Sequence, residues 1–159
     1  MTVVNSHARA ADFDDVYSEH YAQMAKTAFL LLGNSGEAEE VTQEAFTTLF
    51  QRWDTIDNPP GFVRTAIVNR SRDIGRRRTT KLRLVNRIRS QRSTQSEPEF
   101  VLDVLQTLDL DLRELVVLRF YADLTIAQIA QDLGIPEGTV KSKLHKAIGH
   151  LKRDFNDEH

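Results

Sequence analysis

The stretch 124–153 constrains the fold most, because its local signals define two helices joined by a short glycine turn. Thr125 and Gln128 form a T-x-x-Q pattern, in which each side chain can bond a free backbone N–H of the other residue. Gly134 follows the last apolar residue of the first helix, where a left-handed helix end favours glycine. Pro136 stands where the second helix would start, a position at which its missing N–H costs no hydrogen bond. The sequence therefore predicts a helix-turn-helix.

The second of these helices, about residues 136–153, is predicted to be amphipathic. Its apolar residues recur every three or four positions and face inward: Val140, Leu144, Ile148 and Leu151. Its other face is cationic and rich in hydroxyl groups: Thr139, Lys141, Ser142, Lys143, His145 and Lys146. A cationic second helix after such a turn is the geometry that enters a DNA major groove. An ordinary helical hairpin with solvated lysines has the same periodicity and is the alternative.

Composition limits the class of protein. A chain of 159 residues is long enough for one or two small domains. Cysteine is absent, which excludes a disulfide framework and thiolate zinc sites and fits a cytoplasmic location. No apolar run approaches the roughly 18 residues of a spanning helix, and the N-terminus is not a signal peptide, so we expect no membrane insertion. The scarcity of glycine and proline, with leucine and alanine at helical spacing, indicates an all-α protein.

The charges are segregated along the chain, although the net charge is only −2. Residues 1–60 contain ten acidic and three basic residues. Residues 61–96 contain eleven Lys or Arg residues and a single acid, Asp73. Residues 97–159 contain twelve acidic and seven basic residues. A cationic band between acidic ends predicts contact with a polyanion at one place and with a protein partner elsewhere.

The apolar periodicity predicts two small helical domains, residues 13–78 and 99–155, joined by a basic linker over residues 79–98. Residues 1–12 lack periodicity and are predicted to form a flexible N-terminus. In the first domain we expect three helices, at about residues 13–32, 37–52 and 62–78.

Local capping signals accompany these helices. Asn34 or Ser35 can cap the second helix, and Asn58 can cap the third. In the second domain, Asp111 and Glu114 form another capping-box pattern, ahead of the helix-turn-helix.

Three stretches, in their order along the chain, resemble the extracytoplasmic-function (ECF) group of bacterial sigma factors, the detachable promoter-recognition subunits of RNA polymerase. They are AEEVTQEAF (38–46), AIVNRSRDIGRRR (66–78) and LRFYADLTIAQIAQDLGIPEGTVKSKLHKA (118–147). The first is similar to the family's acidic helix with a Q-E pair and an aromatic residue. The second is similar to its N-x-x-x-D segment ending in arginines. GTVKSKLHKA, in the third, is close to the family's G-T-V-K-S-R-L-H-R-A.

The resemblance implies a promoter-specificity subunit with two recognition domains. The first would bind the clamp helices of the largest subunit of core RNA polymerase and the minus-ten element, and the second would read the minus-thirty-five element of promoter DNA. By matching position, Glu40, Gln43 and Glu44 would face the polymerase, since carboxylates and an amide suit a basic partner. A solvated helix flank explains the same residues.

The resemblance also implies which residues contact DNA. Asn69 would lie near the melted minus-ten strand, where an amide can read an exposed base edge, although a solvent-facing or capping asparagine is the alternative. The loop 55–60 is the candidate pocket for an extruded base. Four arginines would hold minus-ten phosphates: Arg72, Arg76, Arg77 and Arg78. Five residues would contact the minus-thirty-five element: Thr139, Lys141, Ser142, Lys143 and Lys146. Arg119 is a candidate for a contact with the DNA backbone or for an internal ion pair.

Other classes of protein account for less of the sequence. The runner-up is a stand-alone helix-turn-helix regulator, but the chain has no coiled-coil heptads and no receiver-like α/β pattern. An enzyme is not expected, because the histidines are scattered and no Gly-rich phosphate loop, H-E-x-x-H motif or cysteine nucleophile is present. We therefore expect no catalytic residue, no metal and no cofactor. An anti-sigma factor is a partner that the resemblance alone implies.

Overall fold

The computed structural model describes the backbone of residues 2–78 and 97–157, and side chains from residue 12 to 78 and from 100 to 154. Most of the predicted linker, residues 79–96, lies outside the described residues. Within the described ranges the chain forms seven helices and no strand, which confirms the all-α prediction. They are α1 (Thr2–Leu32), α2 (Ser35–Gln51), α3 (Pro59–Arg78), α4 (Glu97–Gln106), α5 (Leu110–Val116), α6 (Ile126–Leu133) and α7 (Glu137–Asp157).

Helix α1 begins much earlier than its apolar pattern indicates. Residues 2–12, predicted above as a flexible segment, belong to this helix, which starts at Thr2. The alanines and the arginine of residues 8–11 have high helix propensity. Once the buried part of α1 has nucleated the helix, each added residue costs little. A helix can therefore extend beyond the residues that pack.

The predicted caps of α2 and α3 are confirmed. The Asn34 side chain accepts a hydrogen bond from the Glu37 backbone N–H at 2.9 Å, and Gly33 ends α1 with a φ of +75°. Asn58 accepts from the Gly61 N–H at 3.2 Å. A short 3-10 turn, Trp53–Thr55, fills the connection between the two helices.

The first helix of the helix-turn-helix, α6, has the predicted caps at its start and at its end. The Thr125 hydroxyl accepts from the Gln128 N–H at 3.1 Å, and the Gln128 side chain accepts from the Thr125 N–H at 2.9 Å. Gly134 adopts a left-handed conformation with a φ of +66°. Helix α7 begins directly after Pro136, as the sequence predicts. The capping box therefore sets where α6 begins, and Gly134 sets where it ends.

A π-helical turn, Val117–Tyr121, extends α5 toward the helix-turn-helix. The Ala122 N–H bonds the Val117 carbonyl at 3.0 Å, which is the five-residue spacing of a π-turn. The turn leaves the Phe120 side chain exposed. Asp123 follows with a φ of +58°, which an aspartate tolerates better than most residues.

The helices pack into one continuous core. The N-terminal helices α1–α3 contribute large buried side chains: Met24, Leu31, Phe46, Leu49, Val63 and Ile67. The C-terminal helices α4–α7 contribute a second set: Leu115, Val117, Leu118, Ile129, Val140 and Leu144. Helices α1 and α3 also contact α4, α5 and α6, so that the two groups of helices meet along α3. In the described part of the chain, no helix is long and apolar enough to cross a bilayer.

Candidate nucleic-acid and protein interfaces

Helix α2 separates an apolar face from an acidic one. Its inward face holds Val41, Ala45, Phe46 and Leu49, all buried. Glu40, Gln43 and Glu44 are exposed, as a partner-binding role requires. At the start of α2, the N-cap Asn34 and the acidic residue of the first turn, Glu37, complement the helix dipole.

Glu44 is also placed close to the basic helix α3. Its Oε2 lies 3.7 Å from Arg70 Nε; the Glu44 side chain is 60% exposed and the Arg70 side chain 37%. Pairs of this kind contribute little to stability, about 0–1 kcal/mol. The Glu44 carboxylate can therefore exchange this partner for another cation.

One face of α3 points outward. Asn69 is exposed there, and Arg76 and Arg77 are exposed in the last turn of the helix. The amide of Asn69 can therefore reach a nucleic acid without a change of backbone. Its position inside the helix rules out the capping alternative.

A second face of α3 is engaged by the C-terminal helices. Arg72 donates from Nε and Nη2 to the two carboxylate oxygens of Glu114, at 2.8 Å each. Glu114 is only 1 % exposed. Burial raises the pKa of Glu114, and its hydrogen bonds with Arg72 offset part of that effect. The same bonds raise the pKa of Arg72.

The capping-box prediction for Asp111 and Glu114 is wrong. Helix α5 begins at Leu110 after Asp109, whose side chain makes no capping hydrogen bond. Asp111 lies 3.4 Å from Lys143 of α7, and Glu114 turns toward Arg72. The box fails because an arginine distant in sequence offers a charge-assisted bond, which is stronger than a bond to a neutral backbone N–H.

A second ion pair joins α3 to the helix-turn-helix. Arg64 donates to the Asp132 carboxylate at 3.0 Å, and the Asp132 side chain is 7 % exposed. The Thr65 hydroxyl donates to the Asp132 backbone carbonyl at 2.8 Å. Asp132 belongs to α6, so this contact fixes the orientation of the whole helix-turn-helix on α3.

Two glycines of α3 make this close approach possible. A Cβ atom on Gly61 would lie 2.9 Å from Asp132 Oδ1, and one on Gly75 would lie 2.9 Å from Leu110 Cδ2. Both distances are shorter than ordinary carbon contacts. A larger residue would therefore require the Asp132 carboxylate or the Leu110 side chain to shift.

Two further arginines bind carbonyl or carboxylate oxygens of this same chain. Arg113 donates to the carbonyl oxygens of Leu105, Leu108 and Leu31, and the last of these bonds, 2.7 Å, reaches α1. Arg78 pairs with Glu37 and contacts the Leu32 carbonyl. Burial lowers the pKa of Arg113 and of Arg78. Of the four predicted phosphate contacts, Arg72 and Arg78 therefore already have anionic partners.

Helix α7 presents most of its predicted DNA face to solvent. Lys141, Ser142 and Lys146 are exposed, whereas Thr139 is half-buried. Lys143 lies beside Asp111. Apolar side chains on the opposite face, among them Val140 and Leu144, anchor the helix in the core. Arg119 donates to the Leu124 carbonyl at 3.1 Å instead of forming the ion pair considered above, and its contact with the DNA backbone stays a prediction.

Several residues of these interfaces could not be predicted from the sequence. Glu114, Asp132, Arg64 and Thr65 pair across 42 to 68 residues of chain. Nothing in the local pattern distinguishes them from solvated charges. The one available signal is that Glu114 interrupts an apolar run, where an isolated charge requires a partner.

Comparison with known proteins gives matches along most of the chain. The family profile of Sigma-70 region 2 matches residues 16–94, and that of Sigma-70, region 4 matches residues 104–153. The ECF RNA polymerase sigma factor SigL of Mycobacterium tuberculosis is 34% identical over 158 residues, covering 91% of this chain and 89% of the relative. SigW of Bacillus subtilis, also an ECF sigma factor, is 24% identical over 92% of this chain and 89% of its own.

Two solved structures share the fold. The sigma factor RpoE of Bartonella quintana, in complex with the anti-sigma factor NepR, has a TM-score of 0.74 and 18% identity, over 93% of this chain and 99% of its own. CnrH, in complex with the cytosolic domain of CnrY, has a TM-score of 0.73 and 19% identity, over 99% of this chain and 97% of its own.

Proposed function

This chain belongs to the ECF group of sigma-70 family sigma factors, which direct RNA polymerase to start transcription at specific promoters. We propose that its two groups of helices bind different parts of the polymerase and the promoter. Residues 13–78 bind the clamp helices of the polymerase's largest subunit and the minus-ten element. Residues 99–155 bind the minus-thirty-five element, and residues 79–98 link the two domains. Because the chain belongs to this family, we prefer this function to that of a stand-alone helix-turn-helix regulator.

The polymerase contact is formed by Glu40, Gln43 and Glu44. Their exposure on a helix whose other face is buried supports this role, because a rigid helix presents the three side chains without loss of backbone entropy. Two carboxylates and an amide complement a basic coiled-coil surface through charge-assisted hydrogen bonds.

The minus-ten contact is formed by α3. Asn69 reads a base of the melted strand, and the neighbouring arginines hold phosphates: Arg72, Arg76, Arg77 and Arg78. The exposure of Asn69, Arg76 and Arg77 at the basic end of α3 supports this assignment. Arg72 and Arg78 take part after they leave their present partners.

The minus-thirty-five contact is formed by one face of α7: Thr139, Lys141, Ser142, Lys143 and Lys146. The observation that carries this assignment is the defined helix-turn-helix: the capping box of Thr125 and Gln128 begins α6, and the left-handed Gly134 ends it. The glycine starts the short turn after which α7 follows as the second helix of the motif. The apolar side of α7 is in the core, so its cationic side is the one left for DNA.

We expect Asn69→Ala to relax base preference at a single minus-ten position. One lost amide contact removes about 1–3 kcal/mol of discrimination, or roughly 5- to 150-fold. The measurement is run-off transcription by core polymerase with each variant on a library of promoter fragments, scored base by base. Arg76→Ala is the matched control, since loss of a phosphate contact lowers initiation at all fragments alike. A variant profile identical to wild type would remove Asn69 from the reading site.

We expect Lys141→Ala with Lys146→Ala to weaken promoter binding by the holoenzyme at all sequences. The slope of log affinity against log salt should fall by about one for each lysine. Lys152→Ala is the control, because Lys152 is exposed on the same helix about three turns beyond Lys141, outside the proposed set of contacts. An unchanged slope with altered preference at one base pair would mean that these lysines read bases.

The remaining assignments concern partners and location. We propose that an anti-sigma factor holds this chain inactive, since the solved structures of similar fold are complexes with NepR and with the cytosolic domain of CnrY. The chain works in the cytoplasm, where its polymerase and DNA are, and it supplies recognition and no catalysis or cofactor. Co-purification of a specific inhibitor with the tagged chain, released when transcription is induced, tests the anti-sigma assignment.

A further inference from the structure

We propose that a cavity between the N-terminal and C-terminal helices binds a nucleotide, a small molecule that joins a phosphate group to an apolar base. The cavity has a volume of about 700 Å³ and lies where the ends of α1, α3 and α4 meet the start of α5 and one side chain of α7. Binding sites for small molecules have volumes of roughly 300–1,000 Å³. The cavity is therefore large enough to enclose such a ligand.

A buried hydroxyl group on the wall of this cavity has no hydrogen-bond partner among the described residues. It belongs to Ser71 of α3, which is 0 % exposed. Nε2 of Gln106, in the last turn of α4, lines the same cavity and also lacks an acceptor in that part of the chain. Buried polar groups are normally hydrogen-bonded, so both donors call for an acceptor. A phosphate group carries several strong acceptor oxygens.

The charge of the cavity wall favours an anion. Two of its three acidic side chains are already engaged, Glu114 by Arg72 and Asp111 by Lys143. The five basic side chains of the wall are Arg72, Arg76, Arg78, Arg113 and Lys143. Glu37 pairs with one of these arginines from outside the wall. Even with Glu37 counted, the positive side chains outnumber the negative ones, and a concave surface concentrates their field.

The guanidinium of Arg113 bonds neutral oxygen atoms. It donates to three backbone carbonyl oxygens, one of them at the end of α1. Burial lowers the pKa of Arg113, and the nearby carboxylates of Glu114 and Asp109 offset this effect only in part. The surroundings thus disfavour its charged form, which an anion in the cavity would favour.

The rest of the wall suits the organic part of a nucleotide. Leu31, Leu32 and Leu108 are buried side chains of the wall and offer apolar contact to a flat base. Asp109 is exposed where α5 begins, and its carboxylate can accept hydrogen bonds from the hydroxyl groups of a sugar. An inorganic phosphate would use neither feature, so the wall favours a nucleotide over a simple anion.

Isothermal titration calorimetry of the full chain in magnesium-free buffer tests the site. The probes are ATP and GTP, the nucleosides adenosine and guanosine, and inorganic triphosphate. We expect at least one nucleotide to bind about tenfold or more tightly than its nucleoside and than triphosphate, because each of these lacks one half of the contacts. Polymerase and promoter are left out, so the result does not depend on the DNA contacts proposed above.

Two variants of the cavity wall locate the bound nucleotide. Ser71→Ala removes a hydroxyl that bonds nothing in the described chain, so the free energy of unfolding should not fall, whereas the Kd should rise about tenfold. Arg76→Gln, at an exposed position of the same wall, should also raise the Kd. Lys26→Gln is the matched control, because it removes an exposed positive charge outside the wall and should leave the Kd at its wild-type value.

Three results would overturn the proposal. Equal affinity for triphosphate and for the nucleotides would indicate a general anion-binding surface. Wild-type affinity in both Ser71→Ala and Arg76→Gln would place the nucleotide elsewhere on the chain. No binding of either nucleotide would mean that water alone satisfies the Ser71 hydroxyl.

Discussion

Replacement of Glu40 and Glu44 by lysine should weaken binding of this chain to core RNA polymerase at least about a hundredfold. Two attractive contacts become repulsive ones against a basic surface, and like-charge juxtaposition at an interface costs several kcal/mol, where about 1.4 kcal/mol corresponds to a factor of ten. Both side chains are exposed, so the free energy of unfolding should change by less than about 1 kcal/mol. Fluorescence titration of labelled chain with core polymerase gives the Kd.

The matched control is Glu39→Lys. Glu39 is an exposed carboxylate of the same helix, rotated away from the line of Glu40 and Glu44. A long-range charge effect would weaken binding in this variant to a comparable extent per charge and would fade at high salt. A direct contact concentrates the loss in the double variant. Wild-type affinity of the double variant would place the polymerase contact elsewhere on the chain.

The helix-turn-helix could be predicted from the sequence because its signals are local. Thr125, Gln128, Gly134 and Pro136 act within a few residues of one another, and each has its expected conformation or bond. The same holds for Asn34 and its helix. Capping bonds of this kind do not depend on how distant parts of the chain pack.

The contacts along α3 could not be predicted because their partners are distant in sequence. The spacing of Asp111 and Glu114 is that of a capping box, and only the approach of Arg72 from another helix shows why Glu114 is buried. Periodicity identifies which residues face inward, but it does not show which helix they meet. The outward positions of Glu40 and Asn69 agree with their predicted roles, which remain to be tested.

The start of α1 at Thr2 could not be predicted from the sequence for a different reason. Hydrophobic periodicity reports burial, and residues 2–12 continue a helix whose packed part lies further along the chain. Intrinsic propensity of an alanine-rich segment, rather than burial, accounts for the extension. A segment without an apolar stripe can thus be helical when it adjoins one that has it.

The substitution Phe46→Ala should lower the free energy of unfolding by about 3–5 kcal/mol, the usual cost of a deleted core phenylalanine. Phe46 is 2 % exposed, and its ring lies among those of Tyr17, Tyr21 and Phe13, with centroid distances of 5.1, 5.7 and 6.5 Å. The cavity would form beneath α2, on the side opposite the acidic residues. Since packing of that face fixes the direction of the acidic one, polymerase binding should weaken as well.

Urea unfolding of the full chain, followed by far-UV circular dichroism, measures this loss. Phe50→Ala is the control, because Phe50 lies one turn later on the same helix but is 56 % exposed, although its ring lies 5.0 Å from that of Phe13. We expect it to cost less than about 1.5 kcal/mol, the upper end of what an aromatic pair contributes beyond its buried area. Equal losses in the two variants would mean that contact among the rings, rather than burial beneath α2, anchors this helix. The acidic surface would then depend on a partly exposed aromatic cluster instead of the core.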